Sequence, residues 1–355
     1  MRISVRTFAG KEIPLEVQPG DTIRSVKEKI QDKEDIRIDL QRLLFGNEQL
    51  ENNRPLSSCE IGEESVLHLV LRAETNNKTI AGDYGRGNTA KQLCFPYGMF
   101  VSDDMTMVVA DWGNHRIVQW KIGEKNGEII AGGNGPGNHL NQLNCPTDVL
   151  IDKETNSLMI CDRGNRRVLK WSRQQGTTQG EIVLENISCW GLAMDDQKCL
   201  YVSDIEKHEV RRYKIGDKNG TVVAGNNGRG VSLKQLNTPS YIFVDLQKNV
   251  YVSDTLNHRV VKWNKDALEG IIVMHGFFRG LLVDRLENIY VADYGNHRVM
   301  RWTKDAIEGT IIADGNETEG EEKKLYHPWS LSFGQDGYLY IAEHARDRIQ
   351  RIPIE

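Results

Sequence analysis

A carboxylate, an amide, an imidazole and a guanidinium follow one another in the tract Asp111–Arg116, which reads Asp-Trp-Gly-Asn-His-Arg. Proton transfer and metal binding use these side-chain types, so the tract is a candidate for catalysis. It returns in related form with its acidic residue at Asp162, Asp204, Asp254, Asp293 and Glu343. Residues that recur in all repeats are expected to serve the function that the repeats have in common, which is to form the fold. We therefore predict structural roles for these acidic residues and for His115, His258 and His297.

The acidic residues of successive copies lie 51, 42, 50, 39 and 50 positions apart. This period suits a four-stranded unit better than a helical repeat. The copy at Asp254 shows four short apolar segments separated by turn signals, at 242–244, 251–253, 260–263 and 271–273. Four strands in each of six repeats predict a six-bladed β-propeller, so that most of the chain is all-β.

The Asn-His-Arg signature at 114–116, 257–259 and 296–298 resembles the NHL repeat family over residues 78–355. The resemblance implies a six-bladed propeller. Some NHL proteins bind RNA, and others are ubiquitin ligases that carry zinc domains. The copies at 207–209 (Lys-His-Glu) and 346–348 (Arg-Asp-Arg) depart from the signature, which predicts less regular turns in blades three and six.

The two ends of the repeat region complement each other. The last copy stops after its third strand, near Ile352, while Lys78–Gly82 repeats the outer-strand sequence of Glu128–Gly132 without a blade before it. Pairing the two ends would remove both open sheet edges. We predict that Lys78–Gly82 closes the propeller.

The first 72 residues have a different pattern. A hairpin alternation, a helix that begins after Thr22 and further short strands predict a small α+β unit. The tracts Met1–Thr7, 29–34 and 67–72 resemble ubiquitin. The resemblance implies a β-grasp fold. Ubiquitin's terminal diglycine is absent, since the chain continues Ala-Glu-Thr-Asn from residue 73.

These patterns predict three segments: a ubiquitin-like domain at 1–72, a short linker at 73–77 and the propeller at 78–355. Without a free diglycine end, the first domain is expected to be an integral part of the protein rather than a modifier.

Strand alternation predicts which side chains the ubiquitin-like domain exposes. If Leu43, Leu67 and Leu69 face the core, their neighbours face solvent. The exposed apolar set coincides with the recognition patch that the resemblance to ubiquitin implies. We predict that partners bind Phe8, Leu44, His68 and Val70.

Propeller function is expected where the blades differ. In an antiparallel blade, the loop from strand two to strand three and the loop into the next blade share one face. Aromatic residues and Arg, which often dominate protein interfaces, recur there. The predicted protein-binding residues are Tyr97, Trp112, Arg163, Trp190, Arg279, Tyr294, Trp329 and His344. The alternative is that these side chains pack beneath the glycine-rich loops.

Composition narrows the function classes. The 355 residues carry a formal charge of −5, and residues 1–72 hold 11 basic against 13 acidic side chains, leaving 34 against 37 for the rest. Nucleic-acid-binding domains are usually basic, so nucleic acid is not an expected partner. The glycine-rich tracts at 82–87, 132–137 and 225–230 lack the Gly-Lys-Ser/Thr ending of a phosphate loop, and no cofactor is predicted.

The six cysteines contain no Cys-x-x-Cys pair, so no zinc site is predicted. Cys161 stands where other copies have Ala or Ser, which predicts reduced, structural cysteines. Residues 1–6 are unlike a signal peptide, and no apolar run approaches the length of a membrane span. We expect a cytoplasmic or nuclear protein that does not bind membranes.

The expected function is that of a non-enzymatic adaptor. Its propeller would bind a protein partner, and its ubiquitin-like domain would engage the proteasome or ubiquitin-pathway enzymes. One alternative is a metal-dependent lyase or hydrolase, as some six-bladed relatives are. The inner strands are mainly apolar, with His327 as a lone candidate ligand. The other alternative is an RNA-binding NHL protein.

Overall fold

The computed structural model describes residues 1–7, 11–34, 36, 38, 41–46, 48–71, 78–82, 84–214, 216–315 and 325–354. The chain divides into two compact units, of which the first consists mainly of residues before 78 and the second mainly of residues from 78 onward. Phe8 and the predicted linker at 73–77 lie outside the described residues.

The first unit is a five-stranded sheet with one α-helix, in the strand order β2-β1-β5-β3-β4. β1 pairs antiparallel with β2 and parallel with β5, and β5 pairs antiparallel with β3. This arrangement confirms the predicted β-grasp fold. The elements are β1 (Arg2–Thr7), β2 (Glu12–Glu16), α1 (Ile23–Glu34), β3 (Gln41–Phe45), β4 (Glu48–Gln49) and β5 (Val66–Leu71).

Helix α1 begins at a side-chain cap. The Thr22 hydroxyl oxygen accepts a hydrogen bond from the Ser25 backbone N–H at 3.2 Å, which satisfies a donor that the first turn leaves free. Ile23, Val26 and Ile30 follow at helical spacing and are completely buried in the core of this unit. Among the described residues, no helix is long and apolar enough to cross a membrane.

The second unit contains six four-stranded antiparallel sheets and confirms the predicted six-bladed propeller. The first strands of successive blades pack against one another around the axis. Blades one to three are β7 (Pro96–Val101), β8 (Thr106–Asp111), β9 (Arg116–Lys121), β10 (Glu128–Gly132); β11 (Pro146–Asp152), β12 (Ser157–Asp162), β13 (Arg167–Ser172), β14 (Glu181–Glu185); β15 (Cys189–Met194), β16 (Leu200–Asp204), β17 (Glu209–Tyr213) and β18 (Thr221–Ala224). Blades four to six are β19 (Pro239–Val244), β20 (Val250–Asp254), β21 (Arg259–Trp263), β22 (Ile271–His275); β23 (Phe278–Val283), β24 (Ile289–Asp293), β25 (Arg298–Trp302), β26 (Thr310–Asp314); β27 (Pro328–Phe333), β28 (Tyr338–Glu343), β29 (Arg348–Pro353) and β6 (Lys78–Ala81).

The acidic residue that ends each second strand is buried, and we call it the anchor carboxylate. In blade one, Asp111 accepts hydrogen bonds from the Cys94 N–H at 2.7 Å, the Asn114 amide at 2.8 Å and Arg116 Nε at 2.7 Å. Arg116 donates its other N–H groups to three carbonyls of the loop 88–92. The arrangement recurs around Asp162 and Asp254. The tract therefore has the structural role that its repetition predicts.

The histidine of the signature connects one blade to the next. His115 has a left-handed backbone with φ 52°, and its Nδ1 accepts a hydrogen bond from the Cys145 N–H at 3.1 Å. Blade three departs from the signature but keeps this bond, because His208 occupies the same position. Equivalent bonds run from the N–H of Thr238 to His208 at 3.1 Å and from the N–H of His327 to His297 at 3.2 Å, whereas the His258 ring lies 5.2 Å from that of Phe277.

Blade six makes the same connection with a different residue. Asp347 stands in the histidine position with φ 54°, and its Oδ1 accepts a hydrogen bond from the Phe95 N–H of blade one at 2.7 Å. Its other carboxylate oxygen pairs with Arg86 Nε at 2.9 Å. The departure from the signature therefore preserves the contact between the last blade and the first.

The prediction that all six cysteines are reduced is wrong for one pair. Cys161 on β12 and Cys189 on β15 form a disulfide with their Cα atoms 5.8 Å apart. The bond joins blade two to blade three, and this proximity depends on blade packing that the sequence pattern does not give. Disulfides are rare in reducing compartments, and the cytoplasmic or nuclear location stays a prediction. The other four cysteines are free thiols.

Strand β6 completes the last blade. It pairs antiparallel with β29, with Ala81 opposite Ile349 and Thr79 opposite Gln350. Gly82 follows the strand directly; its φ is +79°, and an added Cβ would lie 2.1 Å from the Asp347 carbonyl oxygen. Only a residue without Cβ fits this close approach.

Gly82→Ala should therefore destabilise the propeller far more than Gly85→Ala. Both glycines have positive φ, +79° and +71°, but nothing lies within 4 Å of a Cβ at Gly85. The left-handed conformation costs about 1–2 kcal/mol in either variant, and overlap adds about 1–3 kcal/mol at position 82 alone. Thermal melting of the two full-length variants measures the difference. Equal melting temperatures would mean that the close contact at the closing strand contributes nothing.

Candidate functional site

The first strands of blades one to five share an irregularity near their first residues. In blade one, the register of β7 against β8 shifts between Pro96 and Met99, and corresponding shifts occur in the next four blades. A β-bulge redirects side chains out of the regular alternation. The side chains in or beside these bulges include Tyr97, Trp190, Tyr241 and Arg279, which meet near the axis of the propeller.

A second set of side chains comes from the turn after each second strand. There the anchor carboxylate is followed directly by a short 3₁₀ turn in five of the blades. Because the anchor fixes the start of the turn, it also fixes the direction of the turn's first side chain. These first residues include Trp112, Arg163, Tyr294 and His344.

Eight side chains from these strands and turns pack together, and we call them the axial cluster. Its floor consists of four buried rings, Tyr97, Trp190, Tyr241 and Trp329. Its rim consists of four partly buried side chains packed on that floor, namely Phe95, Trp112, Ile205 and Tyr294. The cluster joins residues of blades one, three, four, five and six.

Tyr97 is at the centre of the ring contacts. Its ring stacks on Trp329 at a centroid distance of 4.5 Å, on Trp112 at 5.3 Å and on Trp190 at 5.8 Å. The His344 ring meets it edge-on at 5.1 Å. Each such aromatic pair contributes about 0.5–1.5 kcal/mol beyond the area that it buries, so the rings hold one another in place.

Two guanidinium groups lie over the rings. The Arg279 carbon Cζ is 4.3 Å from the Trp329 centroid and 5.8 Å from the Trp190 centroid. Arg163 lies over Trp190 at 4.7 Å. Burial lowers the pKa of Arg279, and the neighbouring phenols partly oppose that shift. Both arrangements are cation–π contacts, which gain strength when the cation is shielded from water.

Several polar atoms of this region have no hydrogen-bond partner within the described part of the chain. They include Nε1 of Trp112 and Trp190 and Nε of Arg279, all of which are donors. His344 is neutral at pH 7 because burial lowers its pKa to about 4. These donor atoms are themselves buried, whereas the Arg163 and Arg279 side chains remain partly exposed beside the rings.

All eight residues predicted from the sequence for the propeller face lie in or against the axial cluster. Tyr97, Trp190 and Trp329 are nevertheless buried, with 9%, 9% and 4% of their surface exposed, so they support the face rather than form most of it. The alternative interpretation, that the side chains pack inside the propeller, therefore holds for these three. The other five remain partly exposed, namely Trp112, Arg163, Arg279, Tyr294 and His344. Sequence reasoning missed Tyr241. In blade four the position that corresponds to Tyr97 and Trp190 is the neighbouring Ser240.

Asp148 is a second residue that sequence reasoning missed. It is buried on β11, beside Gly98 of blade one, and its Oδ2 accepts the Leu192 N–H of blade three at 2.8 Å. Burial raises its pKa to about 7 although it also accepts the Val149 N–H. The only signal was an acidic residue directly before the apolar run 149–151 of this inner strand. Within the described ranges, no three His, Cys, Asp or Glu side chains are placed to hold one metal ion.

The predicted patch of the ubiquitin-like domain lies on β3 and β5. Leu44 stands directly opposite His68 in the ladder, and Val70 follows on the same face of β5. His68 is exposed and the other two are half-buried, whereas Leu43 beside them is fully buried. Burial and the charge of Arg6 lower the pKa of His68. Phe8 lies outside the described residues.

Comparison with known proteins identifies the first unit. Residues 3–74 match the model of the ubiquitin family. The ubiquitin-like protein NEDD8 of Dictyostelium discoideum is 45% identical over 71 residues, which are 20% of this chain and 92% of that protein. The NEDD8-like protein RUB1 of Saccharomyces cerevisiae is 34% identical over 77 residues, 22% of this chain and 100% of that protein. The N-terminal unit is a ubiquitin-like domain.

The second unit is matched over residues 104–300 by a family model described as a 6-bladed β-propeller. The two domains together define a multidomain protein of the protein-interaction class. Since the propeller model covers more than half of the sequence, this chain belongs to that six-bladed β-propeller family, with a ubiquitin-family domain at its N-terminus. The narrower assignment to NHL repeats stays a prediction.

A solved structure shares this fold. It is a structural genomics protein of unknown function from Bacteroides thetaiotaomicron, which superposes with a TM-score of 0.62. The alignment covers 89% of this chain and 91% of that one at 14% sequence identity. At that identity the likeness concerns the fold alone.

The division into floor and rim predicts different costs of truncation. Trp190→Ala should lower the free energy of unfolding by about 3–5 kcal/mol, as for other buried Trp residues. Trp112→Ala should cost only about 1–2 kcal/mol, because the half-buried ring loses mainly its stacking on Tyr97. Denaturant unfolding of both full-length variants gives the comparison. Equal losses would contradict the assignment of Trp190 to a supporting floor.

The raised pKa of Asp148 predicts a pH-dependent stability. Its folded-state pKa of about 7 exceeds the unfolded value of about 3.9, so the folded state binds the proton more tightly between those limits. Stability should fall as pH rises from 4 to 7, by at most about 1.4 kcal/mol per pH unit, and this contribution should level off above 7. Asn cannot gain or lose this proton, so the stability of Asp148→Asn should lack this pH-dependent contribution.

Denaturant unfolding of wild type and Asp148→Asn at several pH values tests this. As pH rises, the free energy of unfolding of the Asn variant should increase relative to that of wild type. Parallel pH profiles would show that Asp148 titrates normally.

Proposed function

We propose that this protein is a non-enzymatic adaptor. In this proposal the axial cluster binds a protein partner, and the ubiquitin-like domain engages proteins that recognise ubiquitin, such as the proteasome or ubiquitin-pathway enzymes. The observation that carries the proposal is the axial cluster itself, where Trp, Tyr and Arg side chains from most of the blades meet on one face.

The chemistry of the cluster supports protein binding. Trp, Tyr and Arg are the residues that most often dominate the energy of protein interfaces, usually near the centre of the contact. A buried floor beneath a half-exposed rim keeps the contacting side chains in place before a partner arrives, which lowers the entropy cost of binding. The rim residues Trp112 and Tyr294, and His344 packed against Tyr97, are each fixed at the first position of a short turn.

The ubiquitin-like domain supports the second half of the proposal. Leu44, His68 and Val70 form an outward-facing set on two neighbouring strands, above a fully packed core. The matched relatives named NEDD8 and RUB1 are ubiquitin-like proteins of about this length. This chain differs because its ubiquitin-like segment continues into a propeller.

Leu44→Ala combined with Val70→Ala should abolish binding to ubiquitin-recognition modules. Central apolar residues of a small interface contribute about 1–2 kcal/mol or more each, so affinity should fall by at least about tenfold. Stability should change by no more than about 1 kcal/mol, because both side chains are only half-buried. Titration of ubiquitin-associated domains and ubiquitin-interacting motifs with the full-length variant measures the effect, and circular dichroism checks the fold.

The matched control is Leu268→Ala with Ile307→Ala, which removes two side chains that are 86% and 97% exposed on the propeller. The control should bind the modules like wild type. Unchanged affinity in the folded Leu44 and Val70 variant would refute the patch, and a wild-type chain that binds no module would remove this half of the adaptor function.

The adaptor proposal as a whole is tested by comparing two double variants, each of which alters one of the two proposed binding surfaces. Quantitative mass spectrometry compares partners captured by the full-length wild type, by Trp112→Ala with Tyr294→Ala, and by the Leu44 and Val70 variant. Each variant should lose one group of partners and keep the other. The loss of the same partners in both variants, or of none in either, would contradict two independent binding surfaces.

A further inference from the structure

Arg279 differs from the other buried arginines of the propeller. Arg116, Arg167 and Arg259 each contact an anchor aspartate at 2.7 Å through Nε. Arg279 has no carboxylate among the groups whose charge acts on it, and within the described ranges its buried Nε has no hydrogen-bond partner. Its charge is therefore held in a partly buried place without a counter-ion from those ranges.

The surroundings of Arg279 are aromatic. Its Cζ lies 4.3 Å from the centroid of Trp329, 5.1 Å from Phe277 and 5.7 Å from Tyr294. Ring faces offset part of the cost of shielding a guanidinium from water, but they supply no negative charge. The groups that interact with its charge are the phenols of Tyr97, Tyr241 and Tyr294, and burial raises the pKa of the first two, so they are neutral at pH 7.

Other unused donors lie beside it. Arg163 lies over the same Trp190 ring that Arg279 approaches, at 4.7 Å and 5.8 Å respectively. The Nε1 groups of Trp112 and Trp190 have no acceptor within the described part of the chain. A site that offers positive charge next to half-exposed rings complements a ligand with an anionic acceptor and apolar surface.

We propose that the axial cluster recognises an acidic peptide segment of its partner, in which a carboxylate pairs with Arg279 and a neighbouring aromatic or large aliphatic side chain packs on the rim. Arg163 provides the second positive charge, across the Trp190 ring. This inference rests on the proposed protein-binding function and specifies the chemistry of the partner.

A peptide fits these observations better than RNA does. A carboxylate is planar and matches the two parallel N–H groups of one guanidinium, whereas RNA binding depends on many phosphate contacts along a basic surface. Residues from 73 onward carry 34 basic and 37 acidic side chains, a balance of −3 that repels a polyanion. A local pair of arginines attracts a single carboxylate without requiring a basic domain.

The experiment selects a phage-displayed library of random dodecapeptides on the full-length protein. The recovered sequences should be enriched in Asp or Glu within about three residues of Trp, Phe, Tyr or Leu, the reach of neighbouring side chains on an extended peptide. The two most enriched peptides are then synthesised and titrated against wild type and variants by fluorescence anisotropy.

Arg279→Gln removes the charge and keeps most of the side-chain length. It should lower the affinity for the selected peptides by about tenfold or more, as expected when a shielded charge pair loses one partner. Arg279→Lys should retain part of the affinity, because a point charge remains without the planar pairing geometry. Arg229→Gln is the matched control, since Arg229 is exposed in the loop after β18.

Replacement of the peptide's Asp or Glu by Asn or Gln should lower the peptide's affinity for wild type by the same factor. It should hardly change the affinity for Arg279→Gln. Such coupling between the two changes distinguishes direct contact from a general weakening of the fold. Circular dichroism and thermal melting establish that Arg279→Gln is folded.

Peptides without acidic residues, or acidic peptides that bind Arg279→Gln as tightly as wild type, would overturn the inference while leaving the protein-binding function in place. A library that yields no binder would count against both. Fluorescent oligouridine and oligoadenosine are titrated in parallel, and Arg279-dependent binding of these RNAs without peptide binding would replace the peptide by a nucleic acid.

Discussion

The propeller depends on a carboxylate buried at the end of each second strand. Removing a charge from water is unfavourable unless hydrogen bonds and an opposite charge compensate it. Asp111 obtains that compensation from a backbone N–H, from Asn114 and from Arg116, whose remaining donors close the preceding loop. Loss of one partner from such a buried pair typically costs about 3–5 kcal/mol, so the network keeps strand, turn and loop in one arrangement.

The candidate binding surface is built on that rigid arrangement. The residue after the anchor begins a 3₁₀ turn, and its side chain forms the rim in several blades, as Trp112 and Tyr294 do. The bulged first strands bring Tyr97 and Arg279 to the same place from the axis side. Under the proposed function, folding and recognition use adjacent sequence positions. The anchor is nearly constant between repeats because every blade needs it, whereas the next residue varies from blade to blade.

The sequence predicts much of this because repetition fixes position. Once Asp111 and its copies define the blade, the two variable positions on one face follow, and all eight predicted face residues lie in or against the axial cluster. Strand alternation likewise places Leu44 opposite His68, outside a core that contains Leu43. Lys78–Gly82 could be assigned to the last blade from its likeness to another outer strand, and the structure pairs Lys78–Ala81 with β29.

The remaining features depend on contacts between blades, which a repeat pattern does not encode. Tyr241 was missed because it stands one position after Ser240, where blades one, three and five have glycine. The disulfide between Cys161 and Cys189 and the hydrogen bond from the Phe95 N–H to Asp347 both depend on distances across a blade interface. The extent of burial also decides roles: Trp190 and Trp112 are the same residue type, yet one supports the surface and the other borders it. That Arg279 has no acidic neighbour among the described residues can be recognised only when the surrounding side chains are in place.

Hydrogen–deuterium exchange of the full-length protein tests the central claim most directly, because it locates the bound face without altering any residue. Exchange is compared with and without the most abundant partner that the wild-type chain captures through its propeller. Binding should slow exchange in the turns Trp112–Asn114, Arg163–Asn165 and Tyr294–Asn296 and at the start of β23, and leave the turns at 265–270 and 304–309 unchanged. Slower exchange confined to the latter turns, with none around the axial cluster, would show that the partner binds elsewhere.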